Sequence, residues 1–128
     1  MKPVKFIVEK TFTGYSAYAK DDKYPLTTVG ETINELKTNI LDALNSYRTF
    51  NGLPEVGNES IAVQIDLSQF FEYYKEINAK ALAKRVGMNE TLLSQYVNGI
   101  KEPSSRQTQK ILSGIKSLGK ELSSLEFT

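Results

Sequence analysis

The hydrophobic period of this chain changes once, near Asp66, and that change bounds the folds open to it. Upstream, Val4, Phe6 and Val8 alternate with Lys5, Ile7 and Glu9, the two-residue repeat of a strand with one face in a core. Residues 11–14 read as a turn, Tyr15–Ala19 as the returning strand of a hairpin, and residues 21–25 as a loop. Thr32 followed by Glu35 has the spacing of a capping box. From there Ile33, Leu36, Ile40, Leu44 and Tyr47 share one helical face, and Asn51, Gly52 and Pro54 stop the helix. After a turn at Gly57 and Asn58, Ile61, Val63, Ile65 and Leu67 alternate with Ala62, Gln64 and Asp66 as a third strand. Residues 1–67 are therefore expected to form a small β-β-α-β domain, an antiparallel sheet plus one helix.

Downstream the spacing is helical throughout. Phe70, Phe71, Tyr74 and Ile77 make one apolar face. Asn78 is placed to cap a helix over Ala79–Val86, with Ala81, Leu82 and Val86 inward. Asn89 is placed to cap another over residues 90–98. Pro103 or Ser104 opens a last helix, lined by Ile111, Leu112, Ile115, Leu118 and Leu122. Residues 68–128 are expected to be an all-α domain of four to five helices, and the chain as a whole α+β.

The residue types that are missing narrow the chemistry. The sequence has no cysteine, so it makes no disulfide and runs no thiol chemistry, as befits a reducing compartment. It has no histidine either, which removes the commonest general base and the commonest metal ligand. No apolar run approaches the ~18 residues of a membrane span. The first ten residues lack the apolar core of a secretory signal. A cytoplasmic protein without membrane contact is expected. Charge is uneven: residues 1–74 carry 7 Lys/Arg against 10 Asp/Glu, and residues 75–128 carry 9 against 5. The basic half calls for an anionic partner.

The stretch from Val86 to Gly99, VGMNETLLSQYVNG, indicates which partner. Two helices crossing steeply through a short turn need a small residue at the crossing and a hinge that tolerates positive φ. Ala83 and Gly87 supply them. Leu92 or Leu93, with Tyr96 and Val97, forms the inward stripe of the second helix. Glu90, Thr91, Ser94, Gln95 and Asn98 are left outside. Amides, hydroxyls and carboxylates are the groups that read base edges in a major groove. Gln95 suits adenine, the Thr91 methyl suits thymine, and Glu90 suits the amino group of cytosine. Asn78, Asn98, Lys101 and Arg106, with Lys110 as a further candidate, are the expected phosphate contacts.

Residues 77–122, INAKALAKRVGMNETLLSQYVNGIKEPSSRQTQKILSGIKSLGKEL, resemble the helix-turn-helix domain of the phage repressor/Cro (XRE-type) family. The resemblance maps base contacts to Glu90, Thr91, Ser94 and Gln95 and implies dimers on pseudo-palindromic operator DNA. Ala79 stands where that family often carries a phosphate-clamping glutamine, so that contact is not carried over. Leu118, Leu122, Leu125 and Phe127 are the expected dimerisation residues, with core packing as their competing use.

The other half has its own likeness. KFIVEKTFTGYSAY (residues 5–18) and GETINELKTNILDAL (residues 30–44) resemble HicB antitoxins. The order of a partial ribonuclease-H-like domain followed by a helix-turn-helix is that family's layout. The resemblance implies a partner, a small basic HicA-like ribonuclease toxin, and repression of the operon that encodes both. The acidic half suits such a toxin. Tyr15, Tyr18, Asp21, Asp22 and Tyr24 are the candidate toxin interface, the tyrosines because they bring area with few rotamers. Glu9, Asp21, Asp22, Glu31, Glu35 and Asp66 show no convergence of the kind a two-metal nuclease needs, so no enzyme activity, metal or cofactor is expected. The rival reading is a free-standing regulator whose N-terminal half senses a ligand or oligomerises.

Overall fold

A computed structural model describes residues 1–126. It divides into two compact units, Met1–Asp66 and Leu67–Thr128.

The first unit is a four-stranded sheet with one helix against it. Strands β1 (Val4–Lys10), β2 (Tyr15–Ala19) and β3 (Thr27–Gly30) are followed by helix α1 (Ile33–Phe50), a 3₁₀ turn at Asn58–Ser60, and β4 (Ile61–Ile65). The strand order is β3-β2-β1-β4. β1 pairs antiparallel with β2, Phe6 opposite Ala19, and β2 pairs antiparallel with β3. β4 pairs parallel with β1, Val4 beside Ile61. Two expectations are corrected here. The sheet is mixed rather than antiparallel, because α1 carries the chain back along the sheet and β4 then runs the same way as β3 and β1. The domain also has a strand more than β-β-α-β. Thr27–Gly30 is short, and its one large apolar residue, Val29, is 63% exposed, so no alternation marks it.

The core of this unit follows the two periodicities. Val4, Phe6 and Val8 from β1 and Ala17 and Ala19 from β2 meet Leu36, Ile40 and Leu44 from α1. The capping box forms with a shift: Thr32 Oγ1 accepts from the Glu35 N–H at 3.1 Å, while the Glu35 carboxylate accepts from the Glu31 N–H at 3.2 Å, one residue early. Ile7, on the opposite face of β1 from Phe6, is also buried.

The second unit is helical: α2 (Leu67–Tyr73), α3 (Ala79–Val86), α4 (Glu90–Val97) and α5 (Ser105–Ser123). Leu67, expected to close the third strand, opens α2 instead; Asp66 ends the ladder by donating its N–H to the Val8 carbonyl at 2.9 Å. α4 packs on α2 and α3, and α5 packs on α3. Among the described residues of this unit, the buried ones are Leu67, Phe71, Leu82, Ala83, Met88, Leu93, Tyr96, Ile111 and Gly114. Ala81, expected inward, is exposed, because it lies on the far side of α3 from the stripe of Leu82, Ala83 and Val86. Ser104 caps α5, its Oγ accepting from the Gln107 N–H at 3.1 Å.

The close approach of α5 to α3 rests on Gly114. A Cβ there would run into Val86 Cγ1, with Leu82 Cδ1 at 3.4 Å, whereas one at Gly119 on the same helix would meet nothing within 4 Å. The two glycines should therefore respond oppositely to alanine. Gly119→Ala is expected to gain about 0.5–1 kcal/mol from helix propensity. Gly114→Ala is expected to lose about 1–2 kcal/mol net, overpacking outweighing that same gain. Denaturant midpoints of the two variants check this.

α3 and α5 are also tied at the surface by Arg85 and Glu121, which form a two-pronged ion pair. The hydrogen bond from Arg85, and then its charge, hold the Glu121 carboxyl below its ordinary value. A carboxyl lowered in the folded state stabilises at pH above its unfolded value and loses that contribution as pH falls through its folded one. Arg85→Ala should thus lower the melting midpoint slightly at neutral pH, with the difference from wild type closing as acid titrates Glu121.

Candidate nucleic-acid interface

The two central helices of the second unit are set by their caps. Asn78 Oδ1 accepts from the Ala81 N–H at 3.0 Å and so starts α3. α3 ends at Gly87, whose φ of 69° is left-handed. A side chain at that φ would strain the backbone by about 1–2 kcal/mol. Asn89 then starts α4 after a turn of three residues, its Oδ1 accepting from the Thr91 N–H at 2.8 Å and the Leu92 N–H at 3.1 Å. Lys110 Nζ reaches the Gly87 carbonyl at 3.5 Å, the C-terminal end of α3, so this candidate phosphate contact already has a partner within the unit. Gly99, at φ 71°, lets the chain turn away from α4, with the Ile100 N–H donating to the Gln95 carbonyl at 2.9 Å.

These caps orient α4. Leu93 and Tyr96 are buried, and Leu92 and Val97 are half-buried. Of the two leucines offered for the inward stripe, Leu93 is the buried one. Thr91, Ser94 and Asn98 are exposed, and their spacing of three and four residues puts them on one face. Asn98 Nδ2 donates to Ser94 Oγ at 3.3 Å, joining two members of that row. Glu90 and Gln95 are half-buried at its flanks. Asn78, Ala79 and Lys80 from α3 and Glu90, Thr91, Ser94 and Val97 from α4 line one groove. That groove gathers one expected phosphate contact and three of the four expected base contacts. Gln95, Asn98, Lys101 and Arg106 lie outside its lining.

Two residues of this region were not singled out from the sequence. Lys80 and Lys84 stand one turn apart on α3, and both reach Glu90 across the turn, at 3.9 and 3.7 Å. Their spacing of four was legible as a shared face; the carboxylate that meets them was not, because it comes from the next helix.

In the first unit the alternation of β2 splits the expected toxin interface. Tyr15 shares the face of Ala17 and packs against the core, with Lys10 Nζ 4.9 Å from its ring centre. Tyr18 points to the other face and is 40% exposed. Partial burial, then Glu9 and Asp66, push its hydroxyl pKa up. Tyr24 packs on the core edge-on to Tyr47, ring centres 5.5 Å apart. Asp21 and Asp22 are exposed, Asp21 accepting from the Lys23 N–H at 2.9 Å. Of the expected dimerisation residues, Leu118 is half-buried, Leu122 and Leu125 are 57% and 60% exposed, and Phe127 lies outside the described residues.

Among the described residues no three Asp or Glu side chains gather as a metal site, and no helix is long and apolar enough to cross a membrane. No family model matches the chain, and no curated protein matches it.

Proposed function

We propose that the chain is an antitoxin that represses its own operon. α3 and α4 act as a helix-turn-helix, with α4 entering the major groove of operator DNA. The observation that carries this reading is the exposed row of Thr91, Ser94 and Asn98 set back to back with the buried Leu93 and Tyr96. A helix anchored on one face and carrying hydroxyls and amides on the other has what base-edge recognition needs. Glu90, Thr91, Ser94 and Gln95 contact bases, and Asn78, Asn98, Lys101 and Arg106 contact phosphates.

Leu122 and Leu125, left exposed near the end of α5, support pairing with a second copy through this segment. A dimer of this kind reads half-sites about one helical turn apart, ~34 Å. The first unit binds a small basic ribonuclease toxin and covers its RNA site. The support for that half is the order of the sequence likenesses, the acidic balance of the N-terminal half, and the exposed Tyr18, Asp21 and Asp22.

Titrating the protein against its own upstream DNA, and co-expressing it with the short open reading frames beside its gene, tests both halves. Salt-dependent binding to that DNA and co-purification with a small basic protein are expected. DNA binding without any such partner would favour the free-standing regulator, and no binding to any duplex would sink the DNA reading.

A further inference from the structure

We propose that Glu90 is a specificity residue that withholds Lys80 and Lys84 from phosphates until the matching bases are met. The proposal rests on the DNA-binding reading and deepens it. Each oxygen of the Glu90 carboxylate has its own lysine: Oε2 lies 3.9 Å from Lys80 Nζ, and Oε1 lies 3.7 Å from Lys84 Nζ. Both lysine side chains are 73% exposed, so they sit where a polyanion would find them, while the carboxylate between them is 37% exposed. Lys80 and Glu90 line the same groove as Thr91 and Ser94. One carboxylate thus faces two cations beside the base-reading row.

The consequence follows from charge. Without Glu90 the two lysines present two phosphate contacts to any duplex, since such contacts do not depend on sequence. With it, the pair is partly neutralised, and a phosphate must displace a carboxylate already in place. These ion pairs are solvent-exposed and long, at 3.9 and 3.7 Å, so they are weak enough to be exchanged. A duplex that offers a cytosine amino group to Glu90 draws the carboxylate away and releases both lysines to the backbone. A duplex without one leaves them held. Base readout and phosphate binding are thereby coupled through one side chain.

The test measures binding to a duplex of random sequence, where base reading plays no part, as a function of salt. Glu90→Gln is expected to tighten that binding about tenfold at low salt. It should also steepen the slope of log affinity against log salt by about 1–2, the release of one to two further counterions. Lys80→Gln with Lys84→Gln should undo that gain in the Glu90→Gln background and change little in the wild-type background. Glu126→Gln, beyond the end of α5, makes the same change in net charge and should leave the slope alone. Melting curves of each variant check that the helical unit is intact. Non-specific binding by wild type that Glu90→Gln leaves unchanged in affinity and slope overturns the role of Glu90 alone. Binding of no duplex by either protein overturns the DNA reading with it.

Discussion

Leu93→Ala is expected to cost the helical unit about 2–5 kcal/mol, the range for emptying a fully buried leucine site. Leu93 has no exposed surface and sits on α4, which packs against both α2 and α3. A unit of about 60 residues has only about 3–9 kcal/mol of stability in all. The substitution therefore consumes much of it, and the variant should melt far below wild type or lose its cooperative transition. Thr91→Ala, two residues earlier and on the opposite face, should stay within about 0.5 kcal/mol of wild type, as exposed substitutions usually do. Thermal and urea unfolding of the two variants compare the faces of one helix directly. A Leu93→Ala variant that melts like wild type, beside a Thr91→Ala variant that does not, means that α4 is turned the other way and that its polar row is not presented to a partner.

That comparison also marks what patterning could and could not foretell. The starts of α1, α3, α4 and α5 were legible because their determinants are local: Thr32, Asn78, Asn89 and Ser104 each bond an N–H two or three residues ahead, whereas the start of α2 at Leu67 was not. The hinge was legible for the same reason, since a left-handed φ favours glycine at Gly87. The core of the first unit could be read from the alternation of β1 and the helical stripe of α1. What escaped was non-local. β3 is an edge strand with a single large apolar residue, so its identity as a strand comes from pairing with β2. The parallel pairing of β4 depends on the crossover through α1, which no two-residue repeat encodes. That Tyr15 and Tyr18 face opposite ways follows from the alternation of β2, but which of the two meets the core is decided by the face that α1 covers. In the candidate interface the row on α4 followed from spacing, while the ion pairs from Lys80 and Lys84 to Glu90 needed the crossing of two helices to appear.

Gln95→Ala carries the largest expected effect on recognition. Gln95 follows Thr91 by one helical turn and flanks the exposed row. Its backbone is fixed by the turn that ends α4, the carbonyl accepting from the Ile100 and Lys101 N–H groups at 2.9 and 3.3 Å. Alanine is the best helix former, so the substitution keeps the helix and removes the amide together with the methylene that carries it. An amide that bonds adenine through both its atoms discriminates against other bases by about 1–3 kcal/mol, roughly 5- to 150-fold. The variant should therefore lose preference at one base position of the operator and keep it at the others. Its affinity for random duplex and its salt slope should match wild type, because no phosphate contact is lost. Binding to the proposed toxin partner should be unchanged, since the first unit is untouched. A panel of operators substituted one base pair at a time, measured at fixed salt, reads the outcome. Uniform weakening across the panel, with a shallower salt slope, would place Gln95 on the backbone of the duplex and leave base reading to Thr91 and Ser94. Glu90→Gln is expected to give the opposite signature, a steeper salt slope with tighter non-specific binding. The two substitutions, five residues apart on opposite flanks of the exposed row of α4, would thus separate the proposed reading of bases from the proposed control of charge.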